Sequence, residues 1–297
     1  MKTKPLLSCE VPLDKVKFPI YISTKFDGIR ALVIDGVVYS RSLKPIRNKH
    51  VQKLFGNRDL NGLVGELVCG DVYAEDVFRQ TTTATMAEDG VNDVKLYVFD
   101  DWSVGDKQYQ ERYQHYQRRI KALNHGSIVA LEHNMLHTID EVITELDKEQ
   151  KRNGEGIILR LPSAKWKNGR STPKSQESVK LKFFEQQEYK IVDVVERMHN
   201  ANEAKVNEMG YTERSSHKDN MIPMNTFGAF VMELQDGRNF NVGSGLGLTD
   251  AVRKEIWNNR DKYIGKIATV RQMKVGSKNG IPRLPTFVGL RDKDDMS

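Results

Sequence analysis

Apolar and polar residues alternate in short runs along much of the chain, as they do in half-buried β-strands. Two such runs, 30–34 and 37–41, flank Asp35-Gly36, a dipeptide that favours a two-residue hairpin turn. Further apolar or alternating runs lie at 18–22, 63–68, 94–99, 155–161, 179–184, 189–195, 226–234, 238–242, 266–275 and 286–290. The pattern therefore predicts antiparallel sheets over most of the chain.

Three segments instead carry apolar residues three and four positions apart, which is the spacing of a helix. The first lies between residues 106 and 123, and the third lies at about 250–257. The second opens with Thr138 and Glu141, which are spaced as a capping box, and it stops near Gly154. Strands with a few interspersed helices give the predicted fold class, α+β.

The strand pattern restarts after about residue 186, and we place a domain boundary there. The first domain is then 1–186 and the second 187–297. In the second domain, about five short strands and one helix suit a small β-barrel such as the OB-fold. Residues 198–225 contain few aliphatic residues, and a connection of this length is either functional or disordered.

Charge and cysteine content narrow the class of protein. The 297 residues include 46 Lys and Arg against 40 Asp and Glu, and the net charge of +6 suits a polyanionic partner without identifying one. Cys9 and Cys69 form no C-x-x-C pair, so neither a zinc module nor a disulfide framework is indicated. No apolar run has the length of a membrane span, and no signal peptide is recognisable. We expect an intracellular protein of the cytoplasm or nucleoid.

The segment 23–30 concentrates reactive side chains at the end of the first predicted strand. It contains Lys25, Asp27, Gly28 and Arg30 in the spacing K-x-D-G-x-R. A lysine amine is a nucleophile only without its proton, and burial or cationic neighbours favour that form. Gly28 would allow close approach to a ligand, Arg30 could bind ribose or phosphate, and Asp27 could organise water around a metal ion. A solvated turn is the alternative for this motif alone.

Other charged and aromatic residues lie on or beside predicted strands. Glu66 either faces solvent or serves a site, and Phe99 is either a core residue or a ligand contact. Glu155 is either a surface residue at a helix end or a ligand for a hard cation. Lys180 and Lys182 lie two apart and share one strand face, where they repel each other unless an anion lies between them. Without such an anion they are a solvated basic edge.

In order and spacing, these residues resemble the motifs of the ATP-dependent DNA ligases, most closely the minimal two-domain ligases of algal viruses and bacteriophages. These belong to the covalent nucleotidyltransferase superfamily. The resemblance rests on Lys25 in KFDGIR, Glu66 in GEL, Phe99 in YVFD, Glu155 in EGIILR, Lys180 and Lys182 in KLK, and Arg283 in PRLPTFVGLR. It implies an antiparallel-sheet nucleotidyltransferase (adenylation) domain followed by an OB-fold domain.

The resemblance also implies an activity, namely sealing of nicks between a 3′-hydroxyl and a 5′-phosphate in duplex DNA by a monomer that uses ATP and Mg²⁺ (or Mn²⁺). Lys25 would form lysyl-AMP, AMP would pass to the 5′-phosphate, and the 3′-hydroxyl would displace it. Such an enzyme serves DNA replication, recombination or repair. The resemblance implies catalytic roles for Lys25, Asp27, Lys180 and Lys182. It implies nucleotide binding by the three lysines together with Arg30, Glu66, Phe99, Glu155 and Arg283, and metal binding by Glu66 and Glu155. It implies DNA binding by Arg41, Arg170, Arg214 and Lys218.

Similar viral ligases carry an insertion at the place of residues 198–225 that closes around DNA, so the resemblance implies a DNA clamp there. Arg214, Lys218 and Tyr211 within it suit phosphates and sugar edges. Two other members of the superfamily, an RNA ligase and an mRNA-capping guanylyltransferase, would share the Lys25 motif. A nucleic-acid-binding protein whose lysine motif is inert is the alternative from a different class.

Overall fold

In the computed structural model, which describes residues 3–207, 211–278 and 280–291, the chain divides into two compact units. The first unit comprises Met1–Phe183 with Val206–Tyr211, and the second comprises Phe184–Lys205 with Thr212–Ser297. The boundary predicted after residue 186 falls inside the long strand that begins the second unit.

The first unit is built on two antiparallel-rich sheets with helices against them. Its strands are β1 (Leu6–Leu7), β2 (Ile20–Thr24), β3 (Ile29–Ile34), β4 (Val37–Tyr39), β5 (Leu63–Cys69), β6 (Val94–Asp101), β7 (Ile128–Ala130), β8 (Asn134–Leu136), β9 (Gly156–Arg160), β10 (Gly169–Arg170) and β11 (Val179–Lys182). Its helices are α1 (Lys49–Phe55), α2 (Val77–Met86), α3 (Tyr109–Leu123) and α4 (Ile139–Lys151). The sheet orders are β11-β9-β2-β8 and β4-β3-β5-β6-β7, and β1 pairs with β10.

The predicted hairpin at Asp35-Gly36 is confirmed. β3 and β4 pair antiparallel up to the turn, with Ile34 opposite Val37. Both turn residues have positive φ, 50° at Asp35 and 78° at Gly36, which a two-residue turn of the type that matches strand twist requires. The predicted helix after Thr138 is also confirmed as α4, and Thr138 and Glu141 form the reciprocal bonds of a capping box.

Each sheet buries one face under helices. The first sheet packs the apolar residues of β2 and β9, such as Ile22 and Ile157, against Val142 of α4. The second sheet packs Val33 and its neighbours against α1, α2 and α3. On the opposite face of that sheet lies a smaller cluster that includes Phe99. Because side chains alternate along a strand, the sheet face with this smaller cluster also carries Arg30 of β3 and Glu66 of β5.

Helices α1 and α2 were not predicted. In α1 Val51 and Phe55 are buried and Leu54 is partly buried, so its apolar residues span little more than one turn. In α2 two of the buried residues are Thr81 and Thr85, which are poor helix formers and carry no apolar signal. Their hydroxyls bond within the unit, since Thr81 accepts from the Cys69 amide and Thr85 donates to the Thr81 carbonyl.

Among its described residues, the second unit contains a five-stranded antiparallel sheet and one α-helix, as predicted for an OB-fold. Its strands are β12 (Phe184–Asn200), β15 (Met221–Glu233), β16 (Asn239–Val242), β17 (Ile267–Lys278) and β18 (Ile281–Leu290), in the order β16-β15-β12-β17-β18, with α5 (Asp250–Asn258). A bridge between Gly245 and Phe287 joins the chain after β16 to β18, so the two edges of the sheet meet. Phe227, Phe230 and Ile191 lie in its core.

Residues 198–225 are here called the ribbon. Within its described residues, the ribbon contains paired strands rather than an irregular connection. β12 and β15 continue into it and pair as far as Asn200 opposite Met221. Beyond them β13 (Ala204–Val206) and β14 (Thr212–Arg214) form a second pair. The side-chain amide of Asn202 donates hydrogen bonds to the backbone carbonyls of Ser215 and His217, at 3.0 and 3.1 Å. No helix in the described ranges is long and apolar enough to cross a membrane.

Candidate active site

Lys25 and Lys182 meet on one buried carboxylate, that of Glu155. The Lys25 amide donates to the Gly156 carbonyl at 2.9 Å, and Lys182 lies opposite Gly156 in the β9–β11 pair, so three neighbouring strand ends bring these residues together. The Lys25 ammonium donates to one oxygen of Glu155, and the Lys182 ammonium donates to the other at 2.7 Å. The Glu155 side chain is only 2% exposed, whereas those of Lys25 and Lys182 are 20% and 17% exposed.

Two opposing effects set the charge state of Glu155. Burial alone would raise the pKa of this carboxyl group, but the charges of Lys25 and Lys182 and their hydrogen bonds outweigh burial, and the pKa is lowered. Glu155 is therefore a carboxylate at neutral pH. A buried anion with two cations at its edge is a site where phosphate oxygens can later replace the carboxylate as partners of the lysines.

Gly156 makes this arrangement possible. Its φ is +147°, and a Cβ at this position would lie 2.0 Å from the Leu181 carbonyl oxygen. Only a glycine allows β9 to run this close to β11 at the residue that follows Glu155. The glycine after the acidic residue in EGIILR thus has a packing reason that the sequence did not reveal.

A second cluster joins Arg30, Glu66 and Phe99 on neighbouring strands. Arg30 of β3 lies opposite Glu66 of β5, and its Nε donates to Glu66 Oε2 at 3.2 Å. The Arg30 guanidinium carbon also lies 4.7 Å from the centre of the Phe99 ring. Burial raises the pKa of Glu66, although the charges of Arg30 and Lys25 oppose that rise. Burial likewise lowers the pKa of Arg30. Because the charges of Lys25 and Glu155 both affect the pKa of Glu66, the two clusters lie within electrostatic reach of each other.

The turn between Lys25 and Arg30 packs against β5. A Cβ at Gly28 would lie 2.2 Å from the Leu67 carbonyl oxygen, so glycine is needed here for close approach to a strand. This differs from the expectation that Gly28 admits a ligand. Asp27 lies half-buried in the same turn.

Phe99 is both a core residue and a neighbour of the charged cluster. It is 8% exposed and packs with Leu32 and Val64 on the sheet face that carries Arg30. A second guanidinium, that of Arg160, lies 5.1 Å from its ring centre. Arg160 in turn donates to the buried carboxylate of Asp100 at 3.0 Å. Sequence reasoning missed Arg160 and Asp100, although both lie inside the quoted motifs EGIILR and YVFD.

The amino-terminal segment contacts three predicted site residues, and no sequence signal pointed to it. The Leu6 carbonyl accepts from Arg30 at 3.2 Å, and the Ser8 carbonyl accepts from Arg170 at 3.0 Å. Glu10 pairs with the Lys180 ammonium at 3.2 Å. Two of these contacts use backbone carbonyls, which every residue has, so a residue pattern cannot reveal them.

Lys180 and Lys182 share a strand face as predicted. Val179 and Leu181 belong to the core cluster on the other face, as alternation along β11 requires. The two ammonium groups take different carboxylates, since Lys180 pairs with Glu10 and Lys182 with Glu155. Lys180 and Lys182 thus contact different carboxylates, and Lys182 shares its carboxylate with Lys25.

The remaining predicted residues lie outside these clusters. Arg41 follows β4, and its guanidinium carbon lies 5.7 Å from the ring centre of Tyr211, which belongs to the same unit. Arg214 and Lys218 are exposed in the ribbon. Arg283 lies on β18 in the second unit and is half-buried. No group of three or more His, Cys, Asp or Glu side chains that could hold a metal ion occurs within residues 3–207, 211–278 and 280–291.

Family models cover most of the chain. Residues 1–182 match the model described as ATP dependent DNA ligase domain, and residues 223–291 match the model described as DNA ligase OB-like domain. The chain belongs to the family of ATP-dependent DNA ligases, enzymes that join DNA with ATP. The resemblance drawn from the motifs is confirmed at this level, and the RNA ligase, capping-enzyme and non-catalytic alternatives are not favoured.

Solved structures show the same architecture. A Chlorella virus DNA ligase-adenylate is 28% identical with a TM-score of 0.56, and the match covers 99% of each chain. A second structure of that viral ligase-adenylate is 26% identical with a TM-score of 0.54, covering 97% of this chain and 99% of the viral one. A structure from the Lig E DNA ligases is 19% identical with a TM-score of 0.69, a likeness of fold alone, and covers 97% of this chain and 99% of that one. A comparison with curated protein sequences finds no match.

Proposed function

We propose that this ligase seals nicks in duplex DNA as a monomer and that Lys25 is the residue that carries AMP. The observation that supports the proposal most strongly is the meeting of Lys25 and Lys182 on the buried Glu155 carboxylate. Phosphoryl and nucleotidyl transfer needs a positioned nucleophile and cations that neutralise the charge developing on phosphorus. Two lysines at one anionic site offer both.

In the first step, the Lys25 amine would attack the α-phosphorus of ATP. The N–P bond forms as the bond from phosphorus to pyrophosphate breaks, and the electron pair leaves with pyrophosphate. The Lys25 ammonium must first lose its proton to water, and it must also leave the Glu155 carboxylate, whose lowered pKa makes it a poor proton acceptor. Lys182 and Lys180 would then exchange their present carboxylate partners for phosphate oxygens.

The second cluster suits the nucleoside part of ATP. Glu66 can accept bonds from ribose hydroxyls, Arg30 can donate to ribose or phosphate oxygens, and the Phe99 ring offers an aromatic surface for the base. Arg30 now lies against that ring at 4.7 Å. A bound nucleoside would therefore have to share or displace this contact. Asp27 in the adjoining turn could orient water near the phosphates.

The carboxylates of Glu66 and Glu155 fit a Mg²⁺ ion that arrives with ATP. Mg²⁺ is usually held by one or two carboxylates and by phosphate oxygens rather than by a complete protein cage. Glu66 lies within electrostatic reach of Glu155, and the described residues offer no group of three such ligands. When bound, the ion would neutralise charge on the phosphates.

In the second and third steps, AMP would pass from Lys25 to the 5′-phosphate of a nick, and the 3′-hydroxyl would displace AMP. Arg41 and Arg170 of the first unit are candidate phosphate contacts, because guanidinium groups bind phosphate oxygens in pairs. Arg214 and Lys218 of the ribbon are candidate contacts to duplex phosphates. Arg283 of the second unit is a candidate contact to ATP during adenylation of Lys25. The enzyme would act in the compartment that holds DNA.

The test is to incubate the purified chain with α-labelled ATP and Mg²⁺, digest it and locate the labelled peptide. We expect AMP on the peptide that contains Lys25, no labelling by GTP, and sealing of nicked DNA in preference to nicked RNA. AMP on a different lysine contradicts the nucleophile assignment. Binding of DNA without any labelling contradicts the proposed reaction.

A further inference from the structure

Glu149 of α4 is a buried carboxyl group that the proposed reaction does not use. The residue is 4% exposed. One carboxyl oxygen accepts a hydrogen bond from the Thr24 hydroxyl at 3.2 Å, and the other has no hydrogen-bond partner among the described residues. A buried carboxyl with a single bond is costly, because water satisfies both oxygens in the unfolded chain. A surface position on α4 would avoid this cost, so the position of Glu149 needs an explanation.

Glu149 lies behind β2, the strand that ends directly before Lys25. On β2, Ile20 and Ile22 face α4 within the core cluster. Thr24 follows in the same alternation and meets Glu149 on that face. Lys25 is the next residue and bonds to Glu155. The hydrogen bond from Thr24 to Glu149 therefore acts on the residue directly before the proposed nucleophile.

Glu149 also contacts the chain directly before Glu155. The Gly154 amide donates to the Glu149 backbone carbonyl at 3.0 Å. A Cβ at Gly154 would lie only 2.2 Å from Glu149 Oε1, so the carboxyl group packs directly against this glycine. The Glu149 side chain thus contacts Thr24, the residue before Lys25, and Gly154, the residue before Glu155. Lys25 and Glu155 form the ion pair of the site.

We propose that Glu149 is a positioning residue for the adenylation step, because it fixes Thr24 and Gly154 and thereby the Lys25–Glu155 pair that follows them in each segment. The inference rests on Lys25 being the nucleophile, as proposed above. A small displacement of a nucleophile is sufficient to slow a transfer reaction severely. Glu149 would act on the rate of the chemical step and only weakly on the binding of ATP.

The bonding geometry of Glu149 selects the replacement that should preserve this role. Burial raises the pKa of the carboxyl group, while the Thr24 hydrogen bond and the charge of Arg152 oppose that rise. Glutamine has nearly the same shape and keeps a side-chain oxygen that can accept the hydrogen bond from the Thr24 hydroxyl. Glutamine should therefore replace Glu149.

The experiment compares Glu149→Ala and Glu149→Gln in the full chain, using α-labelled ATP for the rate of lysine adenylation and a pre-adenylated nick for the last step. We expect Glu149→Ala to lower the adenylation rate at saturating ATP about 30- to 100-fold, with half-saturation within about threefold of the parent. Glu149→Gln should restore the rate to within about threefold of the parent. Sealing of the pre-adenylated nick should change much less.

Two further variants keep the test decisive. Asp147→Ala removes an exposed carboxylate from the same helix and should leave every rate unchanged. Thr24→Val removes only the hydroxyl that donates to Glu149 and should slow adenylation about 3- to 10-fold, the worth of one hydrogen bond. This variant decides the question if Glu149→Ala does not fold.

Three results would overturn the assignment. They are a parental adenylation rate in Thr24→Val and Glu149→Ala, a glutamine variant as slow as the alanine variant, and equal losses in adenylation and in sealing of the pre-adenylated nick. Failure of the underlying nucleophile assignment is separate, because it requires AMP on a residue other than Lys25 whatever occupies position 149.

Discussion

The charged residues of the first unit's site and those of the ribbon are arranged in opposite ways. Lys25, Lys182 and Glu155 are mostly buried and paired with one another. In contrast, Arg214 and Lys218 of the ribbon are exposed. Salt screens exposed charges strongly and buried pairs only weakly. The first arrangement is suited to chemistry at one phosphate, and the second is suited to reversible contact with a polyanion.

The largest expected effect comes from replacing Lys25. We expect Lys25→Ala and Lys25→Arg both to abolish labelling by ATP, because alanine has no amine and a guanidinium stays protonated. Sealing of a pre-adenylated nick should persist in part, since that step needs no bond between lysine and AMP. Gel assays of AMP transfer and of sealing measure the two. Normal labelling of either variant contradicts the role assigned to the site.

The next effect separates the two lysines of β11. Lys182→Ala should lower the adenylation rate roughly 10²- to 10³-fold, by analogy with the loss of one group that stabilises developing charge. Lys180→Ala should act in the same direction and less strongly, because Lys180 pairs with the 67% exposed Glu10 rather than with Glu155. Nick binding should fall much less than the rate in both variants.

Lys53→Ala serves as the control for these lysines, because Lys53 is exposed on α1 away from the strand ends of the site. It should adenylate and bind as the parent does. Equal losses in nick binding and adenylation rate in the β11 variants would instead make Lys180 and Lys182 ordinary DNA contacts.

Removal of the ribbon end should weaken DNA binding and leave adenylation nearly intact. Asn200 and Met221 lie opposite each other, so residues 201–220 can be replaced by Asn-Gly to close the hairpin. The slope of log binding constant against log salt should become shallower by about one for every phosphate that the shortened chain no longer neutralises. Nick affinity measured from low to physiological salt tests this. An unchanged affinity and slope would exclude the ribbon as a clamp.

The smallest expected effect is on stability in acid. The folded pKa of Glu155 is below the usual value of 4.5, so its contribution to stability is present above that value and is lost as pH falls through the folded pKa. The free energy of unfolding of the parent, measured in urea, should therefore decline below pH 4.5. In the Glu155→Gln variant the residue at position 155 does not titrate, so the free energy of unfolding should decline less over the same range. Parallel declines in the two proteins would mean that Glu155 does not supply this dependence.

Local sequence signals predicted elements well where one residue type is required by backbone geometry. Asp35-Gly36 predicted its turn because few residues tolerate two consecutive positive φ angles, and Thr138 with Glu141 predicted the start of α4. The two helices α1 and α2 were missed because the apolar residues of α1 span little more than one turn and two of the buried residues of α2 are threonines. The ribbon lacked a strand signal because its strands are mostly exposed, so no buried face imposes an alternation of apolar and polar residues.

For the candidate site, too, some features could be predicted from the sequence and others could not. Residue types together with the family resemblance identified the candidates, since motif order is a property of the sequence; they are Lys25, Arg30, Glu66, Phe99, Glu155, Lys180 and Lys182. They did not indicate that Glu155 would hold two lysines, that Lys180 would pair with Glu10, or that Glu149 would lie behind Lys25. Three of the contacts involved join residues more than a hundred positions apart in the chain, and no local pattern encodes such a pairing.

The sequence by itself determined the strand and turn pattern, the order of the reactive residues and membership of the ligase family. The tertiary structure decided which charges are buried, which carboxylate each lysine takes and which glycines are required by close packing. The physical reason is that residue identity sets what a side chain can do. Its pKa and its partners depend on burial and on neighbours that only the folded chain brings together.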